Sequence, residues 1–583
     1  PGGYILVLIA VGLAVYANSL QGGHFILDDE PSIVNNFDIR QIWPLWRDAD
    51  RTTNLPVNNR PVVRFSLALN YAVGELDVRG YRLFNLAVHL CCAVALFAVV
   101  RVAMRSWRLS DRYGEVADGL ACAVALIWLV HPLQTQVVNH TIQRSTSLMA
   151  LCYLVTLYCG QRTFATGSVR WGAGAVVACA MGMGSKEAMV MAPVVVLLYD
   201  RTFAAGSFLR AIALRRGLYA GLAATWGILM FLLWDNPHGD SIDLKPSIIA
   251  GHYALNQTRI IIEHYIAKIF WPDPLTNFYG PIRYLQFVEI WPFALAMIMF
   301  VGLTGYALLR WPAVGFCGSC FFLLLVPTSS VMAIFWEAMA ERRPYLALAG
   351  LLALGVVGAY RGLVVLGTGR GWAILRCEQL FAVMLGLVVI ALGWTTVARN
   401  ETYQDLGGLW QSEVVYVEEV MAGLDEILPK VLYHHAEAHI KLGRVYAGRG
   451  QWAQALAAYA RALEIYPQSF KAYKWLGHMF RERNMPQRAI DHFRRAVKLN
   501  PSAYNAHNAL GALLCKQGAV EVGEAHLRKA LEIHPNYVWA YNNLGAALML
   551  RGRDDAARAM FERALSIAPD FAPARANIAD LGD

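Results

Sequence analysis

Charged side chains are scarce in this chain: Asp, Glu, Lys and Arg make up 16% of 583 residues, against 57% hydrophobic. That shortage excludes an ordinary soluble protein, in which about a quarter of residues are charged, and the length argues against a single domain. A cysteine framework is also missing. Of ten cysteines, nine (Cys91, Cys92, Cys122, Cys152, Cys159, Cys179, Cys317, Cys320 and Cys377) lie in or beside apolar stretches, and Cys515 has no near partner. This is neither a disulfide scaffold nor a zinc site. "CGSC" at 317–320 has ligand spacing but no second pair, and it reads as packing. The first apolar run lacks a small-residue cleavage signature and reads as a retained anchor; the start at Pro1 leaves room for a short leader. The net charge of +9 comes largely from arginines in short loops between apolar runs, where they set orientation rather than hold nucleic acid.

What is present is a series of apolar runs near membrane-spanning length, about 17 to 25 residues. They fall at 4–20, 83–102, 117–131, 145–160, 171–185, 187–200, 217–234, 288–309, 312–327, 345–363 and 376–396. A twelfth candidate, 251–270, carries Asn256, Gln257, Arg259, Glu263 and His264, which are costly in lipid, and reads as an interfacial or partly buried helix. With eleven spans, the loops holding Arg101 to Arg112, Arg162 and Arg170, Arg201 to Arg216, Arg310, and Arg361 to Arg376 share the inner side. The loop 21–82 and the C-terminal region then lie outside.

From about residue 430 the character changes. Prolines at 467, 501, 535 and 569 and the pairs Leu442-Gly443, Leu476-Gly477, Leu510-Gly511 and Leu544-Gly545 recur every 34 residues, the tetratricopeptide period. Small residues (Gly443 and Ala455, Gly477 and Ala489, Gly545 and Ala557) let paired helices touch, with Gly523 a departure in the third repeat. The expected fold is all-α: a polytopic membrane helix bundle (1–397), a helical connection (398–430), and an α-solenoid of four repeats with a capping helix (431–583). Such an array binds and does no chemistry of its own. Its concave face should present Lys471, Lys474, Asn505, Asn508, Trp539 and Asn542 to a peptide acceptor, although any one of them can equally be a solvated polar residue.

The polar clusters that interrupt the apolar half gather on the outer side: 26–36, 58–89, 131–145, 184–189, 271–284 and 327–345. Ionisable residues at membrane depth are functional candidates. Asp28 or Asp29 can act as a general base on an incoming hydroxyl. Arg144, Lys186, Arg342 and Arg343 suit a phosphate, with Glu30, Arg60, His131, Gln143, Glu187 and Glu341 as supporting residues. A base facing a bound phosphate at a membrane suits transfer of a sugar from a polyprenyl-phosphate donor to an acceptor hydroxyl. Bland readings stand beside these: Asp28 to Pro31 as a capped turn, Arg144 snorkelling to headgroups, Lys186-Glu187 as a local ion pair, and His131 and His140 as hydrogen-bonding residues. The acid pair could hold a divalent ion, which the cations make less necessary; no metal ligand set is assigned.

The ordered motifs "DDEPSIVNN", "NRPVVRFSLALNY", "HPLQTQVVNHTIQRS", "SKEAMVMAPVVVLLYD" and "ERRPYLALAG", followed by the repeats, resemble the transmembrane and tetratricopeptide-repeat O-mannosyltransferase family. That resemblance implies a GT-C type fold, inverting transfer from a lipid-monophosphate sugar, and the first outer loop's acid, Asp28 with Asp29 as its close alternative, as catalytic residue. The chain departs from the animal members in having only four repeats and many short arginine-bearing loops. This style fits a bacterial inner-membrane protein with the repeats in the periplasm, an undecaprenyl-type donor and a sugar not restricted to mannose. The competing expectations are transfer to a lipid or surface polysaccharide, and a non-enzymatic assembly scaffold.

Overall fold

The structure, a computed structural model, describes residues 2–26, 28–43, 57, 59–234, 248–273, 275–276, 287–327, 339–422 and 429–581. Parts of four expected site segments (residues 27, 58, 274 with 277–284, and 328–338), residues 44–56 of the first outer loop and residues 423–428 of the connection lie outside the described residues. The chain forms two compact units, one of residues 1–49 and 54–405, the other of 50–53 and 406–583.

The first unit contains α1 (Gly2–Tyr16), α2 (Pro61–Gly74), α3 (Val78–Met104), α4 (Ser110–Tyr113), α5 (Ala117–Val130), α6 (Thr135–Asn139), α7 (Arg144–Thr166), α8 (Val169–Met183) and α9 (Ala192–Asp200). It continues with α10 (Phe208–Leu214), α11 (Arg216–Trp234), α12 (Ile248–Arg259), α13 (Ala267–Phe270), α14 (Phe287–Arg310), α15 (Pro312–Val326), α16 (Leu348–Thr368) and α17 (Ile374–Thr402). Local signals set several boundaries. Pro61 occupies the first turn of α2, where its missing N–H costs nothing. Asp77 caps α3 by accepting the Arg79 N–H, and Gly167, at φ 65°, ends α7 in the left-handed conformation.

Among the described residues seven helices are long and apolar enough to cross a membrane, or eight if α5 and the segment Pro132–Asn139, bent by 59°, make one span. The eleven expected runs are all helical, yet not all reach that standard. α8 and α15 have 15 residues each, about 22 Å of helix against a hydrocarbon core of about 30 Å. α7 opens on the polar run Arg144 to Ser147. The α12–α13 region is not among the seven.

Side-chain contacts gather the helix ends into two sets. At one, the Asn18 amide donates to the Val397 carbonyl (2.9 Å), Asn400 to that of Val15 (3.1 Å), and Asn139 to the Asn400 side chain (2.8 Å). At the other, Asp118 accepts Arg101 (2.6 Å) and Arg105 (2.9 Å), and Asp200 pairs with Arg215 (2.9 Å). The acid-bearing loop and the expected cations lie with the first set.

The second unit opens with α18 (Leu406–Ala422), within the stretch expected as a helical connection. Then come α19 (Pro429–Gly448), α20 (Trp452–Ile465), α21 (Phe470–Glu482), α22 (Pro486–Leu499), α23 (Tyr504–Lys516), α24 (Val520–Ile533), α25 (Val538–Met549), α26 (Asp554–Ile567) and the short α27 (Ala572–Asp580). The four helix pairs and the last helix follow the 34-residue period. A Cβ on Gly443, Gly477 or Gly545 would stand 2.6, 2.7 or 2.5 Å from the ring of Tyr459, Phe493 or Phe561, all buried. The third repeat replaces ring packing with backbone contact. A Cβ on Gly511 would lie 2.7 Å from the Gly523 carbonyl oxygen and 2.8 Å from Leu527, so Gly523 stands where alanine was expected because two backbones meet there. Backbone cannot swing aside like a side chain. Gly511→Ala should therefore cost about 3 kcal/mol, at the upper end for overpacking, seen as a lowered urea midpoint with an unchanged slope.

Candidate functional site

Asp28 and Asp29 are neighbours with opposite surroundings. Asp29 is wholly buried. Its Oδ2 accepts the main-chain N–H groups of Ile26 (3.1 Å) and Thr141 (3.3 Å), and its Oδ1 that of Ile142 (2.7 Å). His140 Nε2 lies 3.7 Å from Oδ1. Burial pushes this carboxyl above its ordinary range, opposed by His140 and the donated N–H groups. Asp29 thus staples the first loop to the turn before α7. The side chain of Asp28 is exposed, and a single π-helical turn, Glu30–Val34, follows with Pro31 near its start. The backbone at this place is thus a turn, with Asp29 as the residue that leads into it.

The four expected phosphate ligands separate. Arg144 is fully buried: Nη1 donates to the Ser66 carbonyl (3.1 Å) and Asn70 Oδ1 (2.7 Å), Nη2 to the Tyr81 carbonyl (3.3 Å), and the guanidinium lies 4.6 Å from the centre of the Phe84 ring. Full burial does not fit snorkelling; the guanidinium joins α2 and α3 to the start of α7, with Nε making no hydrogen bond. Lys186, Arg342 and Arg343 instead line one small cavity together with Thr146, Met149 and Tyr345. Lys186 Nζ donates to Thr146 Oγ1 (2.7 Å), which donates to Gln143 Oε1 (3.4 Å). The Arg342 N–H donates to Gln136 Oε1 (3.0 Å), and Arg343 Nη1 reaches the Tyr253 hydroxyl (3.4 Å).

The supporting residues lie outside the lining of this cavity. Arg60, the residue before α2, pairs with Glu187 at 2.8 Å, so an ion pair at this loop reaches across to the start of α2. Glu341, buried, faces Arg399 at 3.4 Å. His131 binds the Ile269 carbonyl through Nε2 (3.1 Å) and accepts the Leu133 N–H at Nδ1 (3.3 Å). Glu30 begins the turn after the acid pair.

Sequence reasoning missed two residues. Arg82, wholly buried, donates to the carbonyls of Ser19 (3.1 Å), Gly22 (2.9 Å) and Tyr403 (3.3 Å), and a side chain on Gly23 would collide with it. Tyr345 is fixed by His89 on its hydroxyl (2.7 Å) and by Trp128 on its carbonyl (2.7 Å), which sets the backbone beside Arg342 and Arg343. An arginine and a histidine inside the apolar run that opens α3 were the available signals. Next to the cation cavity, and sharing Leu324 and Leu346 with it, lies a second cavity of about 380 Å³, lined mostly by apolar side chains of α3, α7, α15 and α16. Among the described residues of the first unit no three His, Cys, Asp or Glu side chains converge as metal ligands.

On the repeats, the expected acceptor-binding residues divide too. Lys471 pairs with Glu437 at 2.9 Å, and Lys474 lies over Trp475. Asn508 Oδ1 accepts from Asn543 (2.9 Å) and Asn542 Oδ1 from Asn577 (2.9 Å); these two asparagines tie the third repeat to the fourth and the fourth to the closing helix. Trp539 is 45% exposed, its edge against Phe571, and Asn505 is half-buried.

Fold and site define a class: an all-α chain with several apolar helices, a polar cluster at one set of helix ends, and tetratricopeptide repeats. Residues 436–469 and 501–570 match the tetratricopeptide repeat family. The chain also bears a distant and consistent likeness to eukaryotic protein O-mannosyltransferases. It is 28% identical over 161 residues to Protein O-mannosyl-transferase F38B6.6 of Caenorhabditis elegans, covering 26% of this chain and 22% of that protein. It is 27% identical over 208 residues to Protein O-mannosyl-transferase TMTC2 of Mus musculus, covering 33% and 23%. The chain thus spans less than a quarter of the length of these relatives. Among solved structures, YrrB, a TPR protein with an unusual peptide-binding site, aligns over 29% of this chain and 82% of its own, at 20% identity and a TM-score of 0.24.

Proposed function

We propose that this chain is a GT-C type glycosyltransferase of the bacterial inner membrane. It moves a sugar from a polyprenyl-phosphate donor to a serine or threonine hydroxyl of an exported protein on the periplasmic side, with the repeats recruiting that protein. The observation that carries the reading is the segment 141–146. One end of it grips Asp29 and so holds the exposed Asp28, while the other carries Thr146, the partner of Lys186 in the cavity of three cations. Acid and phosphate-suited charge are mounted on one short piece of backbone. The adjoining apolar cavity suits the first isoprene units of a lipid tail.

The step balances as follows. The acceptor hydroxyl gives its proton to the Asp28 carboxylate as its oxygen bonds to the sugar's anomeric carbon from the face opposite the phosphate. The bond from that carbon to the phosphate oxygen breaks, and polyprenyl phosphate leaves with its added negative charge held by Lys186, Arg342 and Arg343. Attack from the opposite face inverts the anomeric centre. Eleven crossings, with the first set of helix ends outside, would put the repeats and this cluster on the same side of the membrane.

The test uses the full chain in vesicles with isotope-labelled polyprenyl-phosphate hexoses, mannose among them, and a mixture of exported proteins. Label should appear on protein, and Lys186→Ala and Arg343→Ala should each raise the donor KM about 10-fold, the worth of one hydrogen bond to a charged group. Absence of transfer from every polyprenyl-phosphate sugar would overturn the reading. Label on lipid or polysaccharide alone would replace the protein acceptor.

A further inference from the structure

Away from the membrane cluster, α19 carries two histidines one helical turn apart, His435 and His439, both buried on the face that meets α18. Their Nε2 atoms stand 3.3 Å apart. From α18, Glu418 brings Oε1 to 3.8 Å from the first and 3.7 Å from the second. Three ligand atoms therefore converge, and among the described residues no other three His, Cys, Asp or Glu side chains do so. Ligands about 2.0–2.1 Å from a tetrahedral zinc ion lie about 3.3 Å from one another. The two rings already show that edge. The carboxylate edges are slightly wider, and rotation of the Glu418 side chain, 46% exposed, closes them. A hydrogen bond between the rings accounts for one proton and leaves Glu418 beyond hydrogen-bonding distance of both. A carboxylate that could stay in water instead approaches two ring nitrogens, whose shared proton an ion would displace on binding.

We propose that Glu418, His435 and His439 bind a divalent ion of the zinc class, which clamps α18 to the first repeat helix and leaves one coordination position to water. Two imidazoles and one carboxylate suit zinc and its neighbours rather than calcium or magnesium, which take oxygen ligands. Arg461, on α20, opposes a cation here, and it is turned toward Glu464 at 3.0 Å.

The experiment takes the full chain in detergent, strips it with a chelator and dialyses it against zinc chloride. The wild type should retain about one zinc per chain, and zinc should raise the melting temperature of the repeats. His435→Ala/His439→Ala should lose the ion. His507→Ala/His526→Ala, which removes the other paired histidines of the array (3.0 Å apart), should keep it. Should the first double variant not fold, Glu418→Gln serves, with affinity lowered about 10-fold or more and a smaller zinc-induced rise in melting temperature. Retention of zinc by a folded His435→Ala/His439→Ala variant, equal affinity in Glu418→Gln, or a wild type that holds no zinc would each overturn the proposal.

Discussion

Asp28→Asn should leave the protein folded and lower sugar transfer about 1,000-fold, within the range for removing a general base. Its carboxylate is exposed, so an amide of the same shape fits without a packing penalty. Asp29→Asn should behave differently. The carboxylate there accepts three main-chain N–H groups, and an amide must turn its own donors toward one of them. A loss of about 2–3 kcal/mol in stability is expected, with activity falling only as the first loop comes away from the turn at 140–142. Turnover and melting temperature measured on both variants separate the two roles. Full activity in both would end the assignment of a base to this loop, and a folded, inactive Asp29→Asn beside an active Asp28→Asn would exchange the two.

Against the buried histidines of the repeat unit, whose lowered pKa values add stability up to about pH 6.5, one buried acid should withdraw stability from that unit as the pH rises from 5 to 8: Glu413 of α18. Burial pushes its carboxyl up from 4.5 to about 7, Lys441 pulling it down and Glu437 pushing further up. The folded state therefore holds a proton that the unfolded chain has released. Stability from this group is fully present below about 4.5 and is lost as the pH climbs through about 7, about 3 kcal/mol in all. Buried histidines act in the opposite direction at acid pH; His478, pushed down to about 3 by burial and its cationic neighbours, is one. The check is the difference between wild type and Glu413→Gln. The variant lacks the proton, so its advantage should grow steadily between pH 5 and 7.5 in melts of the full chain. Parallel curves would remove Glu413 as the cause.

The repeats were legible because their physics is local and periodic: Gly477 must face Phe493 whatever precedes it, and the same spacing sets Gly443 on Tyr459 and Gly545 on Phe561. The membrane half was legible only in outline. Its motifs belong together, since the polar clusters at 131–145, 184–189 and 339–345 meet around Lys186 and Arg342, but the job of each charge depends on partners far away in sequence. Arg144 reads from the sequence as a phosphate ligand alone, and only the fold shows that Ser66, Asn70 and Tyr81 hold its two Nη atoms. Arg82 looks like the edge of a span until it joins Ser19 to Tyr403. Span counting had the same difficulty, because α8 and α15 are apolar enough to be noticed and too short to cross a full hydrocarbon core on their own. The His435–Glu418 approach was invisible for the reverse reason: α18 was taken for a connection, and a third ligand on a connection has no fixed place.

The asparagine rungs Asn508–Asn543 and Asn542–Asn577 tie the later units amide to amide. One and two repeat lengths earlier the place of Asn508 and Asn543 holds Lys474 with Ala509 and Ile440 with Trp475, and the first two repeats are joined instead by the ion pair of Lys471 with Glu437. Salt screens an ion pair and leaves an amide pair nearly untouched, so rising ionic strength should loosen the array from its N-terminal end first.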